Sequence, residues 1–139
     1  MKRLLFLALC GVMAGALLAK LNSAHALEAF KKEFDNKYVK KDGTTDAEKN
    51  LAAAAEKAKC NICHVGKSKK ARNEYGKALS TLLTKKDAKN SEKIQKALDD
   101  IATMKSDPKD ASSPTFGELI SEGKLPGGDP AAAAPAAGN

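Results

Sequence analysis

The chain has 139 residues, a formal net charge of +7, and 42% hydrophobic against 29% charged residues. That length suits one domain, and the lysines are interleaved with Asp and Glu along most segments, which excludes the clustered basic footprint of a nucleic-acid binder. Trp is absent and aromatic residues make up only 4%. Much of the remaining apolar content is Ala, which buries little area, so helices of this composition look short of core and leave the middle for something else to fill.

The first twenty-six residues read as a secretory signal peptide. Met1-Lys2-Arg3 is a basic start, an apolar stretch runs from Leu4 to about Leu18, and Ser23-Ala24-His25-Ala26 offers a small-x-small cleavage site. The apolar stretch carries Gly11 and Gly15 and is shorter than the roughly 20 residues that span a bilayer, so no membrane span is expected after cleavage. Leu9 also stands before Cys10 where lipid modification would want a small residue. Cleavage after Ala26 would remove Lys2, Arg3 and Lys20 and lower the charge from +7 to +4.

Residues 27–45 form a polar lead-in. Phe30, Phe34 and Tyr38 at spacings of four suggest a short helix ending near Lys40, before the Asp42-Gly43 turn. Thr45-Asp46-Ala47-Glu48 has the form of a capping box. The helix behind it, about 46–59, carries Ala47, Leu51, Ala54, Ala55 and Ala58 on one face and runs into Cys60. Residues 65–70 read as a loop. A second helix, about 71–84, has the stripe Tyr75, Ala78, Leu79 and Leu82; a third, about 91–104, begins behind Asn90 or Ser91 and has the stripe Ile94, Ala97, Leu98, Ile101 and Met104. Asp107-Pro108 ends it. A short last helix takes Ser113 as N-cap and Pro114 as its first residue, carries Phe116, Leu119 and Ile120, and stops at Gly123. From 126 to 139 the composition collapses to Pro, Gly and Ala, which predicts a disordered tail. No strand pattern is present, and the class is all-α.

Cys60-Asn61-Ile62-Cys63-His64 is the informative motif. Two thiols three positions apart can form thioethers with the two vinyl groups of one haem, and the adjacent imidazole meets the iron from the same side. Other chemistries share the pair. A thioredoxin-like redox site needs a βαβ setting, which is not visible here. Structural zinc needs further ligands, and after cleavage no third Cys and no second His remains. A plain disulfide is compatible with an exported domain. Export also favours covalent haem c, which is attached outside the cytoplasm.

The capped helix leading into Cys60-Asn61-Ile62-Cys63-His64, followed by further helices and a late Met, resembles the small monohaem class I cytochromes c of exported bacterial proteins. The resemblance is specific over 46–64 and loose beyond. It implies a bundle of about four short helices, residues 46–125, around one covalent haem c per chain. Cys60 and Cys63 would bind the cofactor and His64 would be an axial iron ligand. In that family a Met from a loop before the last helix supplies the sixth ligand, and Met104 holds that place in the order. A lysine, a tyrosine, the new N-terminus or no ligand at all are the alternatives, and Met104 on the third helix's stripe could equally be a core filler.

The function implied is electron transfer outside the cytoplasm, in the periplasm, with no catalytic residue. The alternative is a five-coordinate haem module that binds a small gaseous ligand. A peroxidase is not supported, because no second His serves as a distal acid or base. Lys67, Lys69, Lys70 and Arg72, just past the motif, could steer redox partner proteins with acidic docking surfaces, or form a solvated loop.

Overall fold

A computed structural model describes residues 28–66 and 70–130. The expected signal peptide, Lys67, Lys69 and the tail beyond 130 lie outside the described residues. Within them the chain is mostly helical, with one minimal hairpin. A first helix, α1, covers 28–38. It is followed by α2 (Asp46–Ala58), β1 (His64–Val65), β2 (Ala71–Arg72), α3 (Glu74–Leu82), α4 (Ser91–Ala102) and α5 (Phe116–Ser121).

Phe30, Phe34 and Tyr38 do share a helix face, but this segment is more than a lead-in. Phe34 belongs to the core, and the Tyr38 hydroxyl donates to the Leu98 carbonyl at 3.1 Å. Gln95 Nε2 donates to the Glu33 carboxylate at 2.6 Å, and Lys37 pairs with Asp99 at 2.8 Å. Together these fasten α1 along α4. The amphipathic stripe of α4 buries Ile94, Ala97, Leu98 and Ile101, as its spacing predicts.

Several boundaries differ from the sequence expectation, each for a local reason. Ala71 and Arg72 pair antiparallel with Val65 and His64 instead of opening a helix, so two short strands interrupt the all-α pattern. α3 then starts behind Asn73, whose side chain caps it, and ends at Leu82. An extended Leu83 turns its own side chain inward and leaves Leu82 exposed. At the last helix Thr115 and Glu118 form the capping box. The hydroxyl of Ser113, the expected cap, is instead buried against the backbone of Asp107. The chain also stays packed beyond 125: Leu125 and Pro126 are buried, so the expected tail does not start at 126.

The middle of the fold is filled by the chain itself, contrary to the expectation from composition. Phe34, Tyr75 and Phe116 stack edge to face, with centroids 5.9 and 5.1 Å apart. Leu51, Ile62, Leu79, Ile94, Leu98 and Ile101 pack in the same buried cluster. Such aromatic pairs add to simple area burial. The Tyr75 hydroxyl is buried with no hydrogen-bond partner among the described residues, and burial, then Cys63 and Tyr38, raise its pKa. An orphaned buried hydroxyl costs stability. Tyr75→Phe should therefore melt no lower than the parent, with a gain of up to about 1 kcal/mol, whereas Phe116→Ala should lose about 3–5 kcal/mol. Chemical denaturation of both variants checks the pair.

Candidate functional site

The motif sits where a well-started helix is made to stop. Thr45 and Glu48 close the capping box of α2: the Glu48 amide donates to Thr45 Oγ1 at 3.2 Å, and the Thr45 amide to Glu48 Oε2 at 3.1 Å. The helix runs thirteen residues and ends at Lys59, whose φ of 51° makes it the non-glycine residue with positive φ among those described. Lysine rarely adopts that region, and holding it there costs of order 1–3 kcal/mol. The turn it starts, Lys59–Ile62, sends Ile62 into the core and leaves Cys60 exposed, with Cys63 half-buried.

Both cysteines are free thiols. Burial, reinforced by neighbouring Cys60, pushes the Cys63 thiol up to about 12, with Arg72 opposing weakly. It is thus protonated at neutral pH and unlike the acidified thiolate of a dithiol oxidoreductase. Among the described residues no cluster of three or more His, Cys, Asp or Glu side chains gathers to hold a metal ion.

His64 begins β1 and stands opposite Arg72 in the ladder. Its Nδ1 lies 3.3 Å from the carbonyl oxygen of Ala71. A carbonyl only accepts, so the ring proton belongs on Nδ1 and the lone pair on Nε2. Metal-binding imidazoles are usually anchored in this way through the second nitrogen.

Asn73, a residue the sequence reading passed over, holds the motif in shape. Its Nδ2 donates to the carbonyls of Ile62 at 3.0 Å and Asn61 at 3.3 Å, and its backbone amide donates to Cys63 at 3.2 Å. Its Oδ1 meanwhile accepts from the Gly76 amide at 2.9 Å and so caps α3. Two glycines make room for this knot. A Cβ on Gly76 would lie 2.0 Å from the Cys63 carbonyl oxygen, and one on Gly127 would lie 1.9 Å from Asn73 Nδ2. The only sequence signal was an Asx residue just before a helix.

Beside the motif lies a cavity of about 730 Å³, within the range of cofactor sites. Ala54, Ala58 and Asn61 form one wall, and Leu119, Leu125 and Pro130 belong to the other. Asn61 is the residue between the two cysteines. The donor chemistry of the turn suits a c-type haem, with two free thiols three positions apart and an imidazole anchored through Nδ1; the turn meets the cavity through Asn61, and Cys60, Cys63 and His64 are not among its walls.

Met104 is not brought to this place. It lies beyond the end of α4, off the buried stripe, 44% exposed, and is not among the cavity's walls. The core-filler reading of Met104 is therefore corrected: α4 ends at Ala102, and the backbone of Met104 receives the Phe116 amide at 3.0 Å instead. The tyrosines are also committed elsewhere, Tyr38 to Leu98 and Tyr75 to the core. Lys70 and Arg72 are exposed. No family model, curated protein or solved structure matches the chain.

Asn73 offers a clean test of this geometry. Asn73→Asp keeps the acceptor that caps α3 but loses the donor to Asn61 and Ile62. Asn73→Ala loses both, and the missing cap alone costs about 1 kcal/mol. The expected outcome is that the Asp variant retains its helicity while the amide protons of residues 60–64 exchange faster. Equal protection of that turn in Asn73→Asp and parent would contradict the assignment.

Proposed function

We propose that this chain is an exported c-type haem protein that carries electrons outside the cytoplasm, with one haem held by Cys60, Cys63 and His64. The observation that carries the reading is the arrangement of that turn. Its thiols are free and three positions apart, and its imidazole is anchored through Nδ1 to Ala71. When bound, haem supplies one-electron ferric–ferrous chemistry. Everything else is the work of the chain. Cys60 and Cys63 would hold the cofactor, each thiol adding across one vinyl group to give a thioether. Asn73 keeps the three carbonyls before His64 in place, and the Ala71 carbonyl anchors the imidazole through Nδ1, so that Nε2 would be the nitrogen offered to iron. No residue is assigned a role in breaking or making bonds in a substrate, so the protein is read as a carrier and not as an enzyme.

Export is part of the proposal, since haem c is attached outside the cytoplasm and residues 1–26 have the pattern of a signal peptide. No described helix is long and apolar enough to cross a membrane. Lys70 and Arg72 are exposed beside the strand that holds His64. They suit docking of acidic redox partners by electrostatic steering, which salt would weaken.

A second reading has one observation in its favour: Met104 is exposed beyond the end of α4, and an iron with an open sixth position would bind a small gas. An absorption spectrum of the ferrous protein with and without carbon monoxide separates the two. The carrier reading predicts a six-coordinate spectrum that carbon monoxide hardly alters, and a stoichiometric adduct would replace it with the gas-binding reading. Met104→Ala should change stability by less than about 0.5 kcal/mol, because the side chain is exposed. Its spectrum therefore reports ligation without a folding artefact. A new carbon monoxide adduct in that variant would assign Met104 as the sixth ligand, and an unchanged spectrum would remove it from the candidates.

A further inference from the structure

The two thiols of the motif are held differently. Cys60 is exposed, in the turn that begins at the positive φ of Lys59. Cys63 is half-buried, packs against the hydrophobic cluster, and has its carbonyl held by the Asn73 amide at 3.2 Å. We propose that the closed turn offers only Cys60 to a soft carbon electrophile, such as an activated double bond, and that Cys63 reacts only after the turn opens. Modification therefore runs in a fixed order, Cys60 first. The inference rests on the reading of this turn as an attachment site, and adds the order in which its thiols act and the residues that set it.

Cys63 is kept back by the element that follows it. Asn73 Nδ2 holds the carbonyls of Asn61 and Ile62, and the Gly76 backbone lies directly against the Cys63 carbonyl. Ile62 is itself buried in the core. Turning Cys63 outward means giving up these bonds and loosening Ile62, whereas Cys60 already faces solvent and needs none of them broken. Opening also has a compensation. The Tyr75 hydroxyl, fully buried in the cluster that Cys63 packs against, has no hydrogen-bond partner among the described residues. Burial first, and then the nearby Cys63 thiol, raise its pKa. A buried hydroxyl without a partner regains one when water reaches it. Movement of Cys63 out of its place admits that water and offsets part of the lost packing. The turn is thereby poised to open locally, without unfolding of the whole chain. The addition itself is self-contained. Sulfur bonds to one carbon of the double bond, the thiol proton ends on the other, and no oxidant or reductant is needed.

The test uses the full-length chain without cofactor, its thiols reduced, and a short pulse of N-ethylmaleimide, whose double bond adds a thiol in the same way. Peptide mass spectrometry then reads each cysteine separately. In guanidinium chloride the two thiols should be labelled at similar rates. In the folded chain Cys60 should keep most of that rate, whereas Cys63 should fall more than about tenfold behind, protected by local structure. Asn73→Asp keeps the cap of α3 but loses the donor to Asn61 and Ile62, and should speed Cys63 labelling about tenfold. The carboxylate it introduces would by itself disfavour a thiolate, so acceleration reports opening. Tyr75→Phe removes the hydroxyl that gains from water and should slow Cys63 about fivefold. Neither variant should alter the Cys60 rate, with far-ultraviolet circular dichroism showing both to be folded. The proposal is overturned if the folded chain labels both thiols alike, if Cys63 is the faster, or if either variant fails to move Cys63 in the stated direction. The outcome is separable from that of the functional reading. Equal labelling refutes the order alone, even where the exported protein carries covalent haem, and an exported protein without haem refutes the reading beneath it while the labelling rates stand.

Discussion

Three successive carbonyls, those of Asn61, Ile62 and Cys63, receive hydrogen bonds from one residue, Asn73. A tight turn that follows an abruptly ended helix exposes backbone acceptors, and buried acceptors must find donors. By supplying both its side-chain and backbone N–H groups, Asn73 allows the Cys60–His64 segment to leave the helical path without leaving those groups unsatisfied. The same side chain starts α3 through Gly76. The shape of the motif and the position of the next helix are therefore set together. Gly76 and Gly127 are consequences of this closeness, since a methyl group at either would collide with the knot.

From this follows a division between core and site. The core is closed by Phe34, Tyr75 and Phe116 with the aliphatic stripe of α4. The cavity lies to the side, between α2 and the chain that follows α5. The abundance of alanine that looked like a shortage of core has a positive use on α2. Leu51, Ala55 and Ala58 face inward, and Ala53 and Ala54, with the edge of Ala58, leave space where larger residues would have filled it. The helix thereby serves as a core element on one side and as the wall of an apolar site on the other. Gly123, with φ of 79° and only 2.5 Å between its missing Cβ and the Ala47 carbonyl oxygen, lets the opposite wall approach the start of α2.

Long periodic segments were legible from sequence. The α4 stripe, the Thr45–Glu48 box and the aromatic spacing of α1 each repeat one signal several times over. What escaped depends on single contacts. Strands of two residues have no period to read, so the His64–Val65 and Ala71–Arg72 pairing was hidden. Ser113 was the expected cap, but its hydroxyl is held by the backbone of Asp107, and Thr115 caps the helix instead. Leu82 and Leu83 differ only in where α3 stops. Of the candidate site, Cys60, Cys63 and His64 stand out by a spacing that a c-type haem would require. Asn73 was not evident, since its role lies in carbonyls ten to twelve positions earlier. Met104 was placed by pattern on a helix that ends two residues before it.

The account turns on whether the turn at Cys60–His64 carries a haem joined to the chain. The most direct measurement is the mass of the protein recovered from the extracytoplasmic fraction of a host that assembles haem c, taken under denaturing conditions. The account predicts a chain beginning at residue 27 with one haem added, and both cysteines in the modified peptide. A chain of unmodified mass, with Cys60 and Cys63 joined to each other or left as thiols, would contradict it.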